Sequence, residues 1–311
     1  MAVMIKTVNL TKRYGNLIAL SNLNLEIDEG DCFGFIGPNG AGKSTTIKIL
    51  ATLLQPTWGE ARICDLVVGY QSRQIRPLIG YVPDYFGAYE DMVVQEYLEF
   101  FAAAYNINGT PRTKVVGDVL ELTDLGYKRD APVDGLSRGM KQRLSIARVL
   151  LHDPKVLLLD EPAGNLDPRA RIELRELLKT LVRMGKTILI SSHILPELQD
   201  LCNKVGIIEQ GELIYSGPWT DIVRKARGGM VLHVGVADNP KQAEALLGQD
   251  PNVASIARNN GHIEVALKDG ITDYSFIPTR LVQAGFRVTM FKEQEANLET
   301  AFMRLTKGMV Q

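Results

Sequence analysis

The 311-residue chain is 45% apolar and 23% charged, close to the globular average, which excludes a disordered chain, a collagen-like fibre and a disulfide-stapled miniprotein. Thirty-five Lys and Arg against 36 Asp and Glu leave a net charge of −1, a balance that argues against bulk binding to nucleic acid or to an anionic membrane. At roughly 150 residues per domain the length suggests about two domains.

In chain order, MIKTVNLTKRY and the alternating LIALSNLNLEID read as strands, with a turn at Asp28-Glu29-Gly30. CFGFIG (32–37) is a short apolar strand running into a glycine-rich loop, and STTIKILATLL (44–54) follows as a helix stopped by Gln55-Pro56-Thr57. Helical spacing covers 91–105, with Val94, Tyr97, Leu98 and Phe101 on one face, and 112–125. Ser137 is the natural N-cap of a helix over about 138–151. KVLLLDEP (155–162) is a buried strand ending in carboxylates. Asp167-Pro168 opens a helix whose Arg171, Arg175, Lys179 and Arg183 read as a solvated face. KTILISSH (186–193) is a buried strand, and KVGIIEQGELIYSG (204–217) a hairpin around Gly211. Composition shifts at 218–229, where Gly228-Gly229 is a candidate linker. Beyond it the order strand 230–237, helix 240–248, strands 252–257 and 262–268, helix 274–284, strand 286–292 suggests a small α+β ferredoxin-like domain, followed by a last helix over about 296–307.

The three cysteines, Cys32, Cys64 and Cys202, are odd in number, far apart in sequence and spaced for no zinc site, which reads as reduced thiols in a cytosolic protein. The stretch MAVMIKTVNLTKRYG lacks the apolar core of a signal peptide. Apolar runs such as Val156–Leu159 and Phe100–Tyr105 fall far short of the roughly 18 residues that span a bilayer, so the chain is expected not to cross a membrane by itself.

Gly37-Pro38-Asn39-Gly40-Ala41-Gly42-Lys43-Ser44 fits G-x-x-x-x-G-K-[ST] between a predicted strand and a predicted helix, the context this motif requires. Its glycines let backbone N–H groups converge on phosphate oxygens, and the helix N-terminus adds positive potential. Lys43 would bridge the β- and γ-phosphates of a nucleotide, and the Ser44 hydroxyl would bind Mg²⁺. Gly37 to Thr45 are therefore the candidate phosphate-binding set. Val156-Leu-Leu-Leu-Asp160-Glu161 supplies the second element. Either acid alone would pass for a solvated strand end, but adjacent carboxylates there are costly without a cation or a task. Asp160 would hold Mg²⁺ through water, and Glu161 would orient and polarise the attacking water.

With Leu136-Ser137-Arg138-Gly139-Met140 as a third element, residues 3–217 resemble the ATP-binding cassette (ABC) ATPase family, whose signature is L-S-G-G-Q at this spacing before the paired acids. The resemblance implies an α/β P-loop NTPase fold: a RecA-like core with an antiparallel β subdomain and a helical subdomain, over residues 1–220, with an accessory domain over 228–311. It implies that Ser137 and the Gly139 amide contact ATP held by an opposite subunit, that His193 is the switch histidine at the γ-phosphate, and that Tyr14 stacks on adenine. Tyr14 also has a plain alternative, a strand aromatic packing on the core. Asn165-Leu166-Asp167 resembles the end of the D-loop, matching at Leu166 and Asp167 only. Asp84 stands where the family's coupling glutamine is expected and is a candidate metal ligand; Arg138 and Met140 depart from the signature's usual Gly and Gln. The segment ANLETAFMRLTKG resembles the end of ATP-binding subunits of bacterial drug, sodium or polysaccharide exporters.

One phosphate loop and one signature per chain imply that two copies, or one copy and a paralogous cassette, sandwich two ATP molecules head to tail. A separate permease would carry the membrane span and meet Tyr85, Phe86, Tyr89 and the helix that follows. The chain would then sit on the cytoplasmic face of the membrane through that permease, with no nucleic acid expected. Two other readings stay open at this stage: a soluble ABC ATPase acting on ribosomes or nucleic acid, and a switch that binds ATP and turns it over slowly because of Asp84 and the altered signature.

Overall fold

The computed structural model describes residues 2–85, 87, 91–226, 230–259, 262–268, 270–271 and 273–293. Phe86, Tyr89, the Gly228-Gly229 linker and the expected last helix lie outside the described residues. The chain divides into two compact units between Trp219 and Thr220.

The first unit begins with the long strands β1 (Val3–Tyr14) and β2 (Leu17–Asp28), paired antiparallel. Their alternation turns Ile5, Leu10, Leu23, Leu25 and Ile27 inward. The buried Thr7 hydroxyl donates to the Leu23 carbonyl at 2.9 Å and accepts from Leu25 N–H at 2.9 Å, so it carries no unpaired polar atom into the core. β4 (Trp58–Ile63) and β5 (Leu66–Val67) complete a four-stranded sheet in the order β2-β1-β4-β5.

A second, six-stranded sheet has the order β10-β9-β3-β8-β7-β6. It comprises β3 (Cys32–Ile36), β6 (Ile79–Val82), β7 (Val156–Leu159), β8 (Thr187–Ser192) and β9 (Lys204–Glu209), all parallel, with β10 (Glu212–Pro218) returning antiparallel from β9. Every residue of β3, β7 and β8 is buried, as expected of parallel strands covered on both faces. The β9–β10 turn uses Gln210 and Gly211 at φ 49° and 80°, the left-handed pair that hairpins favour. The helix after β3, α1 (Lys43–Leu50), packs Ile47, Ile49 and Leu50 into one core with Phe33, Phe35, Leu158 and Leu189 and with the inner residues of the antiparallel sheet. α1 stops at Leu50 rather than running on to 54: Thr52 turns left-handed at φ 61°, and the amides of Leu53 and Leu54 close back on the Lys48 carbonyl.

After α2 (Ser72–Ile75), the helical part comprises α3 (Val94–Ala104), α4 (Thr110–Leu122) and α5 (Arg138–Leu150), which pack on one another; α5 also meets α6 (Pro168–Arg183). α3 starts three residues later than helical spacing predicts, because Val93 is extended. A short α7 (Leu195–Gln199) follows β8, and α8 (Trp219–Ala226) follows β10. Cys32 and Cys202, distant in sequence, meet with Sγ atoms 3.6 Å apart as free buried thiols, and burial pushes the Cys202 thiol well above its usual range.

The second unit holds β11 (Val231–Val236), α9 (Pro240–Gly248), β12 (Val253–Asn259), β13 (His262–Leu267), α10 (Phe276–Gln283) and β14 (Val288–Glu293). Its sheet is antiparallel throughout, in the order β12-β13-β11-β14. Leu232, Val234, Ile263, Val265 and Leu267 meet Ala243, Leu247, Ile277 and Leu281 of the helices in a core of their own. The buried Asp250 is neutralised by Arg280.

Candidate functional site

β3, β8, β7 and β6 are neighbours in a parallel sheet, so their carboxyl ends lie side by side along one edge, where open α/β sheets bind ligands. The loop after β3 carries Gly37 to Lys43, β8 ends in Ser191 and Ser192 just before His193, β7 is followed by Asp160 and Glu161, and β6 by Pro83 and Asp84. Four segments scattered through the sequence thus converge at one place.

The glycine-rich loop is shaped by close approach. Any side chain at Gly37 would run into the Ile208 carbonyl, and Gly42 adopts φ 107° with the Ala19 carbonyl 2.7 Å from where a Cβ would stand. Lys43 is 5% exposed, and its ammonium donates to the carbonyls of Gly37 at 2.6 Å and Pro38 at 3.1 Å. It lies 3.4 Å from Glu161 Oε1. The other Glu161 oxygen accepts from His193 Nδ1 at 2.8 Å. Glu161 sits in the left-handed region at φ 48°, a strained position for a residue that carries a Cβ. Its amide is held by Ser191 Oγ at 2.9 Å, and its carbonyl accepts from Gly164 N–H at 2.9 Å.

Asp160 is 1% exposed, and its Oδ1 accepts hydroxyl hydrogen bonds from Ser191 at 2.8 Å and Ser44 at 3.0 Å. Burial raises its carboxyl above the usual carboxylate range, the two hydroxyls partly offset that, and the charge of Asp84 pushes it up further. The Tyr81 hydroxyl is raised to about 12 by burial and by the charges of Asp160 and Asp84. Asp84 is therefore electrostatically part of the site although its side chain is exposed. Among the described residues no group of three or more His, Cys, Asp or Glu could hold a metal ion unaided. The donors at Asp160 and Ser44 are hard oxygens around an incompletely compensated negative charge, which fits Mg²⁺ completing its shell with water and phosphate oxygens.

The ABC transporter family profile matches residues 20–164. A Nod factor export ATP-binding protein I from Burkholderia orbicola is 34% identical over 299 residues, covering 96% of this chain and 95% of that protein. The protein of the same name from Rhizobium meliloti strain 1021 is 35% identical over 306 residues, covering 98% of this chain and 88% of that one. This chain belongs to the ABC transporter family, among its ATP-binding subunits. Solved ABC structures agree in fold. CbiO1 from Clostridium perfringens, part of the ABC transporter complex CbiONQ, superposes with a TM-score of 0.65 at 28% identity over 73% of this chain and 95% of that one. The dimeric post-hydrolysis structure of the cassette MJ0796, bound to ADP and Pi, gives 0.63 at 29% identity over 69% of this chain and 98% of that one.

The remaining ABC-type positions are arranged as follows. Ser137 is an exposed N-cap on α5, accepting from Met140 N–H at 3.3 Å, and Arg138 is exposed beside it. Gly139 is buried, because a Cβ there would stand 2.7 Å from the Ala170 Cβ of α6. Arg143, 8% exposed at its side chain, ties the same helix to the Thr123 carbonyl and the Asp124 carboxylate, each at 3.0 Å. Leu166 is buried and Asp167 caps α6 through Ala170 N–H at 2.9 Å. Tyr14, at the end of β1, is 45% exposed rather than packed in the core.

Sequence reasoning missed Ser191, which fastens both acids. Its only sequence signal is a hydroxyl pair closing the otherwise apolar run ILISS. It also missed the partners of α6. Arg171 lies 3.3 Å from Glu197 and Arg175 donates to Asp200 at 2.9 Å, while Lys179 pairs with Glu176. The expected solvated face of α6 is thus paired at three of its four positions, two of them with residues outside the helix.

Proposed function

We propose that two copies of this chain bind two ATP molecules head to tail and hydrolyse them to drive a separate permease, in the direction of export. The observation that carries this reading is Glu161, fixed by Ser191 at its backbone and held between Lys43 and His193 at its two oxygens. A carboxylate so oriented can align and polarise a water for attack on the γ-phosphorus as the bond to the ADP oxygen breaks. Gly37 to Thr45 cradle the phosphates, Lys43 moves its charge from the loop carbonyls to the β- and γ-oxygens, and Tyr14 stacks on adenine. Mg²⁺ held by Ser44 and, through water, by Asp160 would neutralise charge developing on the phosphates; Asp84, whose charge acts on Asp160, is the further candidate ligand. His193 keeps Glu161 aligned through Nδ1 and presents its other nitrogen to the γ-phosphate. Ser137 and Gly139 of the second copy complete each site.

Support for the transport reading is the naming of the relatives as exporter ATP-binding proteins and the presence of CbiO1 in a transporter complex. MJ0796, dimeric with ADP and Pi, supports the paired arrangement. Among the described residues no helix is long and apolar enough to cross a membrane, so the permease is a separate chain in this reading. Tyr85, next to Asp84 in the chain and 78% exposed, offers aromatic surface for such a partner. In this reading residues 1–220 form the cassette and 228–311 a ferredoxin-like accessory domain, a reading supported by the antiparallel order β12-β13-β11-β14 of its described strands.

The test is Glu161→Gln with ATP. The variant is expected to bind ATP, lose hydrolysis by orders of magnitude and migrate as a dimer on size exclusion. A variant that stays monomeric and hydrolyses ATP normally would overturn the assignment.

A further inference from the structure

The short helix α7 follows His193 almost at once, and α6 follows Asp167. Where these two helices face each other they do not close into a packed core. A cavity of about 390 Å³ lies between them, walled by Ile172, Leu178, Ile190, Ile194 and Leu198. Two ionic rungs span its rim: Arg171 to Glu197 at 3.3 Å, and Arg175 to Asp200 at 2.9 Å. The rungs have the spacing of one helical turn on each side, i to i+4 on α6 and Glu197 to Asp200 at the end of α7.

The first rung also lies next to the segments that carry the reacting groups. Arg171 Nε donates to the Leu166 carbonyl at 3.0 Å, just before the Asp167 cap. Glu197, its side chain 17% exposed, stands on α7, four residues after His193. Contacts therefore run from Leu166 through Arg171 to Glu197, which lies on the helix that begins two residues after His193. Dispersion contacts fall away steeply across a gap, so apolar packing cannot fix the separation of α6 and α7 at this place. Partly exposed ion pairs add little to global stability, which leaves geometry as their main effect.

We propose that the Arg171–Glu197 pair is a positioning clamp: it couples the Leu166–Asp167 segment to His193 and so sets the alignment of Glu161. The proposal rests on the reading of Glu161 and His193 given above. Neither clamp residue touches ATP; both act through His193.

A double-mutant cycle on the full chain tests it, with Arg171→Met, Glu197→Gln and the pair together. Each single substitution should lower kcat about tenfold while leaving KM for ATP within about twofold and the melting temperature nearly unchanged. The double variant should lose about the same tenfold, because the second substitution removes a link already broken. Arg171→Lys, which keeps the charge, should recover part of the loss. Losses that multiply to about a hundredfold, or a kcat that does not move, would overturn the clamp. Glu161→Gln in the otherwise native chain separates the two claims. If it fails to form the ATP-bound dimer, the functional reading falls. If it forms the dimer while the clamp variants turn over normally, only the clamp falls.

Discussion

At the residue scale, Asp160 shows what the site demands of a single carboxyl. Burial raises its pKa above the unfolded value, and two hydroxyl hydrogen bonds compensate only in part. The folded chain therefore holds the Asp160 proton more tightly than the unfolded chain does. The contribution of this group to stability is fully present below the ordinary carboxylate pKa and is lost as pH rises through the raised value. At neutral pH the ionised carboxyl is a cost, which a bound cation offsets. MgATP should accordingly raise the melting temperature more at about pH 7.5 than at about pH 5. Asp160→Asn, close in shape and able to accept the same hydroxyl bonds, should melt higher than the native chain without nucleotide at neutral pH and lose most of the Mg²⁺-dependent gain. A variant that melts lower and keeps that gain would refute this account. The nucleotide loop and the paired acids were legible in the sequence because each is contiguous and its chemistry follows from residue type at fixed spacing. Ser191 was not, because its role exists only through the parallel pairing of β7 and β8. Glu197 and Arg171 were hidden for the same reason: a charge on a helix looks solvated until its partner on another helix is known.

At the scale of elements, the apolar runs of the parallel sheet declared themselves, since strands buried on both faces admit little else. β4 did not. WGEARI buries only Ala61 and Ile63 fully and is held mainly by its pairing with β1, while Gly59 packs against the Asn9 backbone at φ 79°. The start of α5 shows how one glycine links two elements. Gly139 lets α5 lie against α6 at Ala170, next to the Asp167 cap, so the Ser137 end of one helix and the Leu166–Asp167 end of another are set by the same contact. Gly139→Ala should force these helices apart and destabilise the chain by about 1–3 kcal/mol, as overpacking does. Ala170→Gly in the same chain vacates the space and should restore part of that stability and of the ATPase rate. Chemical denaturation of the two single variants and the double measures this. If the double is no better than Gly139→Ala alone, the contact is not what makes glycine necessary there.

At the scale of the whole molecule, the two units differ in what they can sense. The first contains Lys43, Asp160, Glu161 and His193 and has its own core. The second has a separate core around Leu232, Val265 and Ile277 and holds none of these residues. A ligand raises the stability of what it binds, by mass action, and leaves an independent cooperative unit where it was. Calorimetry of the full chain should therefore resolve two transitions, only one of which moves up with MgATP. The tryptophans provide an internal assignment, because both of them, Trp58 and Trp219, fall in the first unit. Tryptophan emission should report the nucleotide-sensitive transition alone, while far-ultraviolet circular dichroism reports both. A single transition that shifts as a whole would instead mean that the second unit unfolds with the first. It would then be coupled to nucleotide binding, and the accessory domain would belong to the engine rather than being carried by it.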